Sequence, residues 1–249
     1  MTTPEITTKT FTVRFSDCDH HSRLRISNLF RFMEECAIAD AEQNGFGIWK
    51  LVKHGYTYAI SRIKLRIHHT PVWGETITIS TWTKGYYKGK VALKDYLVQD
   101  AKGNSIAQGT SSWLLVNLKT GKSENPELSP FPPLLFPGKD ALPQKLELLE
   151  PRKNPNIVFE KQARYSDLDI NFHVNHCRYV DWVMDALTIE ELKSRPLRSI
   201  QINFISQIPL NGKIKMVRFE DSNHHAFLFG VQAEDPSQVH FQARIGFGN

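Results

Sequence analysis

Two hydrophobic periods alternate along this chain, and the switch from one to the other occurs twice. Ile26, Leu29, Phe30, Met33 and Ala37 recur at i, i+3, i+4, i+7 and i+11. That is one face of a helix, with Ser27 or Asn28 placed as its N-cap. Val174, Cys177, Val180, Val183, Met184 and Leu187 repeat the pattern late in the chain. Elsewhere the period is two. Ile63, Leu65 and Ile67 alternate with Arg62, Lys64 and Arg66, and Ile200, Ile202 and Phe204 behave alike. So do Thr76–Ser80, Lys213–Val217, and Val239, Phe241, Ala243 and Ile245. Alternation of this kind predicts strands with one face turned to a core. Each half therefore reads as a strand, one main helix and a run of antiparallel strands, an α+β arrangement.

The halves are copies of one unit. Phe15-Ser-Asp-Cys-Asp19 echoes Tyr165-Ser-Asp-Leu-Asp169, and Thr70-Pro-Val-Trp-Gly74 matches Ile208-Pro-Leu-Asn-Gly212. Eight of the thirteen prolines fall between Pro126 and Pro155, which marks a linker or wrapping connection. The expected division is a first repeat over 1–125, a proline-rich linker over 126–156 and a second repeat over 157–249. One helix per half is available to cover each sheet, and two such units side by side would place a site between the repeats.

The candidate chemistry sits just ahead of the second helix. Asp167, Asp169, Asn171, His173 and Asn175 occupy alternate positions, and in an extended segment they would share one face. A polar cluster ending at a helix N-terminus suits a developing oxyanion, because free N–H groups and the helix dipole favour negative charge there. Each residue also has a plainer reading: Asp169 as a carboxylate capping backbone N–H groups, His173 as a hydrogen-bonded core histidine, Asn175 as an N-cap. The first repeat keeps Asp17 and Asp19 but has Arg25, Ile26 and Ser27 in place of a His-Val-Asn. One active site per chain is therefore expected.

Composition narrows the function classes. With 41% hydrophobic and 23% charged residues the chain is an ordinary globular protein. No apolar run is long enough to span a membrane, and the first residues carry neither a signal peptide nor an import sequence, so a cytoplasmic protein is expected. Cys18, Cys36 and Cys177 are widely spaced, which argues against a disulfide framework. No zinc-type spacing or phosphate-binding glycine loop occurs, and no metal or cofactor is implied. The net charge of +5 is spread through strands, as in Arg62, Lys64, Arg66, Lys84, Lys88, Lys90 and Lys94. That spread forms no nucleic-acid arm; it leaves an acidic macromolecular partner, or a solvated strand face with no partner.

Ordered motifs then point to a family. They are Trp73-Gly74-Glu75, Thr81-Trp82, Asp100 to Gly103, Ala107-Gln-Gly-Thr-Ser-Ser-Trp113 and Leu118-Lys-Thr-Gly-Lys122, followed by Ser166 to Asn175 with Tyr179 and Trp182. Through nearly its whole length the chain resembles the acyl-acyl carrier protein thioesterases, whose fold is a tandem pair of hot-dog units, each an antiparallel sheet packed on a main helix. The resemblance implies hydrolysis of fatty acyl thioesters, with the family's catalytic Asp, Asn and His at Asp169, Asn171 and His173. Asp169 would be general base or nucleophile, His173 would orient water or shuttle a proton, and Asn171 would polarise the carbonyl. Backbone N–H groups at Val174 and Asn175 would form the oxyanion hole. The family's further acidic residue falls at Gln207, which can hydrogen-bond but cannot take a proton as a carboxylate does. Ile208 stands where some relatives carry Cys. Asn175, Phe30, Met33 and Trp113 are the substrate-binding candidates, the last three also readable as plain core. Cys177 reads as packing. The resemblance also implies acidic acyl carrier protein as transient partner, with Lys193, Arg195 and Arg198 as docking candidates, no nucleic-acid or membrane partner, and either a monomer with an internal pseudo-dimer or a homodimer. A coenzyme A thioesterase, a non-hydrolytic acyl- or carrier-binding protein and a hot-dog dehydratase are the alternatives.

Overall fold

The computed structural model describes residues 5–150, 155–219 and 225–248, and the chain divides into two compact units, Met1–Leu146 and Glu147–Asn249. In the first, β1 (Thr7–Thr12) leads through a 3-10 turn to α1 (Ile26–Gln43) and the short α2 (Ile48–Lys53). The strands β2 (Tyr56–Ile67), β3 (Thr76–Tyr87), β4 (Val91–Asp100) and β5 (Ser105–Asn117) follow, with a two-residue β6 (Ser123–Glu124) paired to β5. The sheet runs β1-β3-β4-β5-β2, antiparallel throughout.

The alternation of the sequence is the reason for this sheet. Ile63, Leu65 and Ile67 are buried while Arg66 between them is exposed. The α1 stripe of Ile26, Leu29, Phe30, Met33 and Ala37 is likewise buried. The cap differs from expectation. Arg25 is the N-cap of α1, and Ser27 and Asn28 lie buried in its first turn, where the Asn28 amide donates to the Asp17 carbonyl at 2.9 Å.

Not every basic strand residue is a solvated one. Lys94 is buried and ion-paired to Asp40 of α1. Asp40 also accepts the Thr7 hydroxyl at 2.9 Å and the Asn44 amide at 2.7 Å. Burial lowers the Lys94 pKa, and the Asp40 carboxylate works against that shift. Such a pair stabilises little over an apolar one, but removing either partner would strand the other charge.

The proline-rich segment is divided between the units. Residues 126–146 lie with the first. Phe136 donates its N–H to Thr83 at 2.9 Å, the Trp82 indole N–H bonds the Lys139 carbonyl at 2.8 Å, and the buried Asp95 carboxylate accepts the Ala141 N–H at 2.7 Å. Leu149 belongs to the second unit's core, with Val217, Phe219, Phe227, Phe229 and Val231.

The second unit repeats the first with the same connectivity: β7 (Asn156–Gln162), a 3-10 turn, α3 (His176–Asp185), α4 (Ile189–Ser194), β8 (Leu197–Phe204), β9 (Lys213–Phe219), β10 (His225–Gln232) and β11 (Val239–Phe247). Its strand order, β7-β9-β10-β11-β8, is that of the first unit. Tyr179 and Trp182 of α3 pack on Phe241, with ring centroids 4.8 and 6.4 Å away. Gly230 on β10 makes room for that ring: a Cβ there would clash with Phe241.

Glu191 ties α4 to the sheet. It closes a capping box with Thr188 and takes both guanidinium nitrogens of Arg218 on β9, one at 2.9 Å. The hydrogen bonds from Arg218 hold its carboxyl down to about 2, below the usual 4.5, despite partial burial. A carboxyl with a depressed folded pKa stabilises the native state above its unfolded pKa and loses that contribution as pH falls through the folded one. Between pH 4.5 and 2, denaturant midpoints should therefore fall more steeply for the wild type than for Glu191→Gln, measured by urea titration at stepped pH; parallel curves would refute the tie.

Candidate active site

Both units make the same turn between first strand and helix. In the first, the buried Asp17 carboxylate accepts the Arg14 N–H at 3.0 Å, and its carbonyl accepts the Arg25 N–H at 3.0 Å. In the second, Asp167 accepts the Arg164 N–H at 2.9 Å and the Asn175 N–H at 2.9 Å in the same two ways. The chain then reverses. Asp19 N–H bonds the Arg23 carbonyl at 2.7 Å and Asp169 N–H bonds the His173 carbonyl at 2.9 Å. In both, the aspartate Oδ1 accepts the N–H two residues on (His21 or Asn171) at 2.8 Å. Ser22 and Phe172 occupy the left-handed region, at φ 59° and 61°.

This geometry corrects two expectations. The segment is not extended: residues 165–167 form a 3-10 turn, and 169–173 a tight reversal closed by Asp169, so the five polar side chains do not share a face. Asp167 is buried and 3.7 Å from Arg178, Asn171 is exposed, and Asp169 and His173 are half-buried. The first-repeat counterparts of His173, Val174 and Asn175 are Arg23, Leu24 and Arg25, two residues earlier than sequence matching placed them. The proposed oxyanion donors also change. The Val174 N–H is bonded to the Ile208 carbonyl at 3.0 Å and the Asn175 N–H to Asp167, so neither is open to a substrate.

A strand end borders the reversal. His173 bridges to Pro209, and the Val174–Ile208 bond lies beside it, which brings Gln207 next to the turn as an exposed residue. The second anchor is shifted by one residue from its sequence match. Gly74 N–H bonds Val13 and Glu75 receives the Val13 N–H; in the second unit Asn211 N–H bonds Ala163 and Gly212 receives the Ala163 N–H. Gly74 therefore corresponds to Asn211, not to Gly212. Both are left-handed, at φ 84° and 64°, and Asn is the non-glycine residue best suited to that region.

Tyr179 completes the surroundings. Its phenol is buried beneath the turn, and burial raises its pKa. The Ile208 N–H opposes that shift, and the nearby Asp169 carboxylate adds to it. The phenol therefore stays protonated near neutrality, a neutral group beside Asp169.

Comparison with known proteins agrees with this architecture. Residues 4–125 match the acyl-ACP thioesterase N-terminal domain, and residues 152–249 match the acyl-ACP thioesterase C-terminal domain. The chain belongs to the acyl-ACP thioesterase family. It is 24% identical over 232 residues to an acyl-[acyl-carrier-protein] hydrolase of Cuphea viscosissima, covering 86% of this chain and 54% of that one. A palmitoyl-acyl carrier protein thioesterase of Cuphea hookeriana is 24% identical over 212 residues, 78% of this chain and 50% of that one. The chain thus spans about half the length of the curated relatives it matches. An acyl-ACP thioesterase crystal structure from Bacteroides thetaiotaomicron superposes with a TM-score of 0.88 at 23% identity, covering 98% of both chains. The 12:0-ACP thioesterase of Umbellularia californica gives 0.84 at 19% identity, covering 98% of this chain and 97% of that one. The fold is the tandem hot-dog.

The remaining candidates of this family member are placed as follows. Phe30 and Met33 are buried in the first unit, and Trp113 on β5 is half-buried with its indole N–H on the Ser111 hydroxyl at 2.8 Å. Cys177 is fully buried in the α3 stripe, and none of Cys18, Cys36 and Cys177 is in a disulfide. Arg195 pairs with Glu191 at 3.3 Å and lies over the Phe247 ring, whereas Lys193 and Arg198 are exposed. These three flank the start of β8, and Gln207 follows its end. The eight residues of β8 span roughly 25 Å between its two ends. The structure therefore does not bring the basic trio to the turn.

Sequence reasoning missed His240 on β11. Its Nδ1 lies 2.8 Å from the hydroxyl of Ser206, the neighbour of Gln207. Alternation with Val239 and Phe241 gave it no signal beyond an outward-facing strand position.

Asn175 is tied into α3 as its N-cap, with Oδ1 accepting the Cys177 N–H at 2.8 Å. Asn175→Ala should cost about 1 kcal/mol of stability, whereas Asn175→Asp, which keeps the acceptor, should lie within about 0.5 kcal/mol of wild type. Thermal and urea unfolding of both variants checks the cap.

Proposed function

We propose that this chain hydrolyses fatty acyl thioesters carried on acyl carrier protein, releasing the free acid, with one reactive site per chain in the second repeat. The observation that carries the reading is the asymmetry of the twin turns. The same hydrogen-bonded reversal is built in both units, so folding needs neither Asn171 nor His173; the first unit has His21 and Arg23 there. Family membership and the relatives' names support the substrate class.

A thioester is activated enough that hydrolysis requires an attacking water, a base and stabilisation of the oxyanion. Asp169 is the base, or the nucleophile in a covalent variant of the same step. One carboxylate oxygen is held by the Asn171 N–H, which fixes the orientation of the other. His173 orients the water or relays its proton towards the departing thiolate. With the Val174 and Asn175 N–H groups already bonded, the side-chain amide of Asn171 is the donor left for the developing oxyanion. Gln207 holds water or carbonyl by hydrogen bonding.

Hydrolysis of matched acyl-carrier-protein and acyl-coenzyme A thioesters, from medium to long chain, tests the substrate. Preference for the carrier-protein substrates is expected. Preference for coenzyme A would move the chain to the alternative donor, and binding without turnover would mark it as a binding protein. Asp169→Asn keeps an oxygen for the turn and removes the carboxylate, so it should fold normally and lower kcat roughly 10²–10⁴-fold. Near-normal turnover in a folded variant would sink the assignment. Asp19→Asn, the same change in the first repeat, should leave kcat unchanged.

A further inference from the structure

Ile205 and Ser206, at the end of β8, both direct their N–H groups to the His240 carbonyl, at 2.9 and 3.1 Å. The first unit has the same bend, where His68 and His69 donate to the Ile106 carbonyl at 2.8 and 3.1 Å. Ile106 is thus the counterpart of His240, and the bend forms with an aliphatic side chain at that position. An imidazole stands at that position in the repeat that carries the polar turn. It is half-buried, with Nδ1 2.8 Å from the Ser206 hydroxyl, which also reaches the Val239 carbonyl at 3.4 Å. Two residues on, the Ile208 carbonyl accepts the Val174 N–H of the reversal. Ser206 and Gln207 are thus held between His240 on one side and the turn bearing Asp169 and His173 on the other.

We propose that His240 is a positioning residue: by bonding Ser206 it fixes the Ser206–Gln207 segment against the Asp169 turn, so that the Gln207 amide is presented to the reacting group. This rests on Asp169, Asn171 and His173 being the reactive set. Burial lowers the His240 pKa, with the backbone of Ser206 and Gln207 opposing it, so the ring is neutral near pH 7 and one nitrogen can accept the hydroxyl. An outward strand position would ordinarily leave a histidine solvated. Here, exposed Ser206 and Gln207 have no burial of their own to fix them; the backbone bond of Ser206 to the His240 carbonyl is common to both repeats, and the side-chain bond is the tie that the second repeat adds.

The test compares wild type, His240→Ile, His240→Asn and Ser206→Ala. Isoleucine is the residue of the twin position, and asparagine can place a polar atom where Nδ1 lies. Two readouts are taken: kcat and KM on the best thioester, and the heteronuclear NOE of the Gln207 backbone amide. His240→Ile should unfold within a few degrees of wild type, lose ~10-fold in kcat with KM within about twofold, and show a reduced NOE at Gln207. Ser206→Ala should behave alike, the double variant should be no worse than either single one, and His240→Asn should recover most of both signals. An unchanged NOE in His240→Ile overturns the proposal, whatever happens to kcat; so does a His240→Asn variant as impaired as His240→Ile. If the wild type hydrolyses no thioester, the functional reading fails, and the NOE at Gln207 alone still decides whether His240 holds the segment.

Discussion

Each repeat depends on satisfying backbone groups where its first strand turns into its helix. A buried N–H or C=O left unpaired costs as much as a lost hydrogen bond, and a helix start supplies several at once. Asp17 and Asp167 answer this identically, with a carboxylate bonded back to the preceding arginine N–H and a carbonyl bonded forward to the residue that begins the helix. The reversal that follows, the approach of the distant anchor and the seating of the helix on its sheet are then set. In the second unit the result is a polar side-chain group beside a strand end, on a backbone held by the same hydrogen bonds as its twin.

On the proposed reading Asp169 has two tasks in one side chain. One oxygen closes the turn through the Asn171 N–H, and the other is the one assigned to the chemistry. A carboxylate steered by its own loop loses less freedom in reaching a reactive pose than one on a mobile chain. The buried, protonated Tyr179 beneath it and the aromatic packing of Phe204 and Phe241 give the turn an unyielding floor. The proposed chemistry is thus separable from the scaffold, because Asp19 closes the same turn in the first repeat.

The sequence was most legible where one physical rule acted locally. Period-two and period-3.6 stripes marked strands and helices, since burial of one face is a property of neighbouring residues. The duplicated Ser-Asp-x-Asp motif exposed the repeat for the same reason. Failures came where hydrogen bonding across distance decided the outcome. Alternation of Asp167 to Asn175 suggested an extended face, but a reversal closed by Asp169 leaves no such face. Val174 and Asn175 looked like free donors, and partners at Ile208 and Asp167 had already taken them. Lys94 read as one of several outward lysines until Asp40, far along the chain, proved to be its buried counter-ion. His240 stood out by no pattern, because its side-chain partner is Ser206, just past the end of β8 and far along the chain.

The shifted anchor of the second unit bears on how the two halves have diverged. Letter matching aligns proline with proline and glycine with glycine, yet the hydrogen bonds equate Gly74 with Asn211. What the two halves share is a left-handed backbone position, and the residue identities around it are offset by a place. Ancestral comparisons between the halves should therefore be drawn through bond partners, since a register taken from letters would assign Gln207 and its neighbours the wrong forebears in the first repeat.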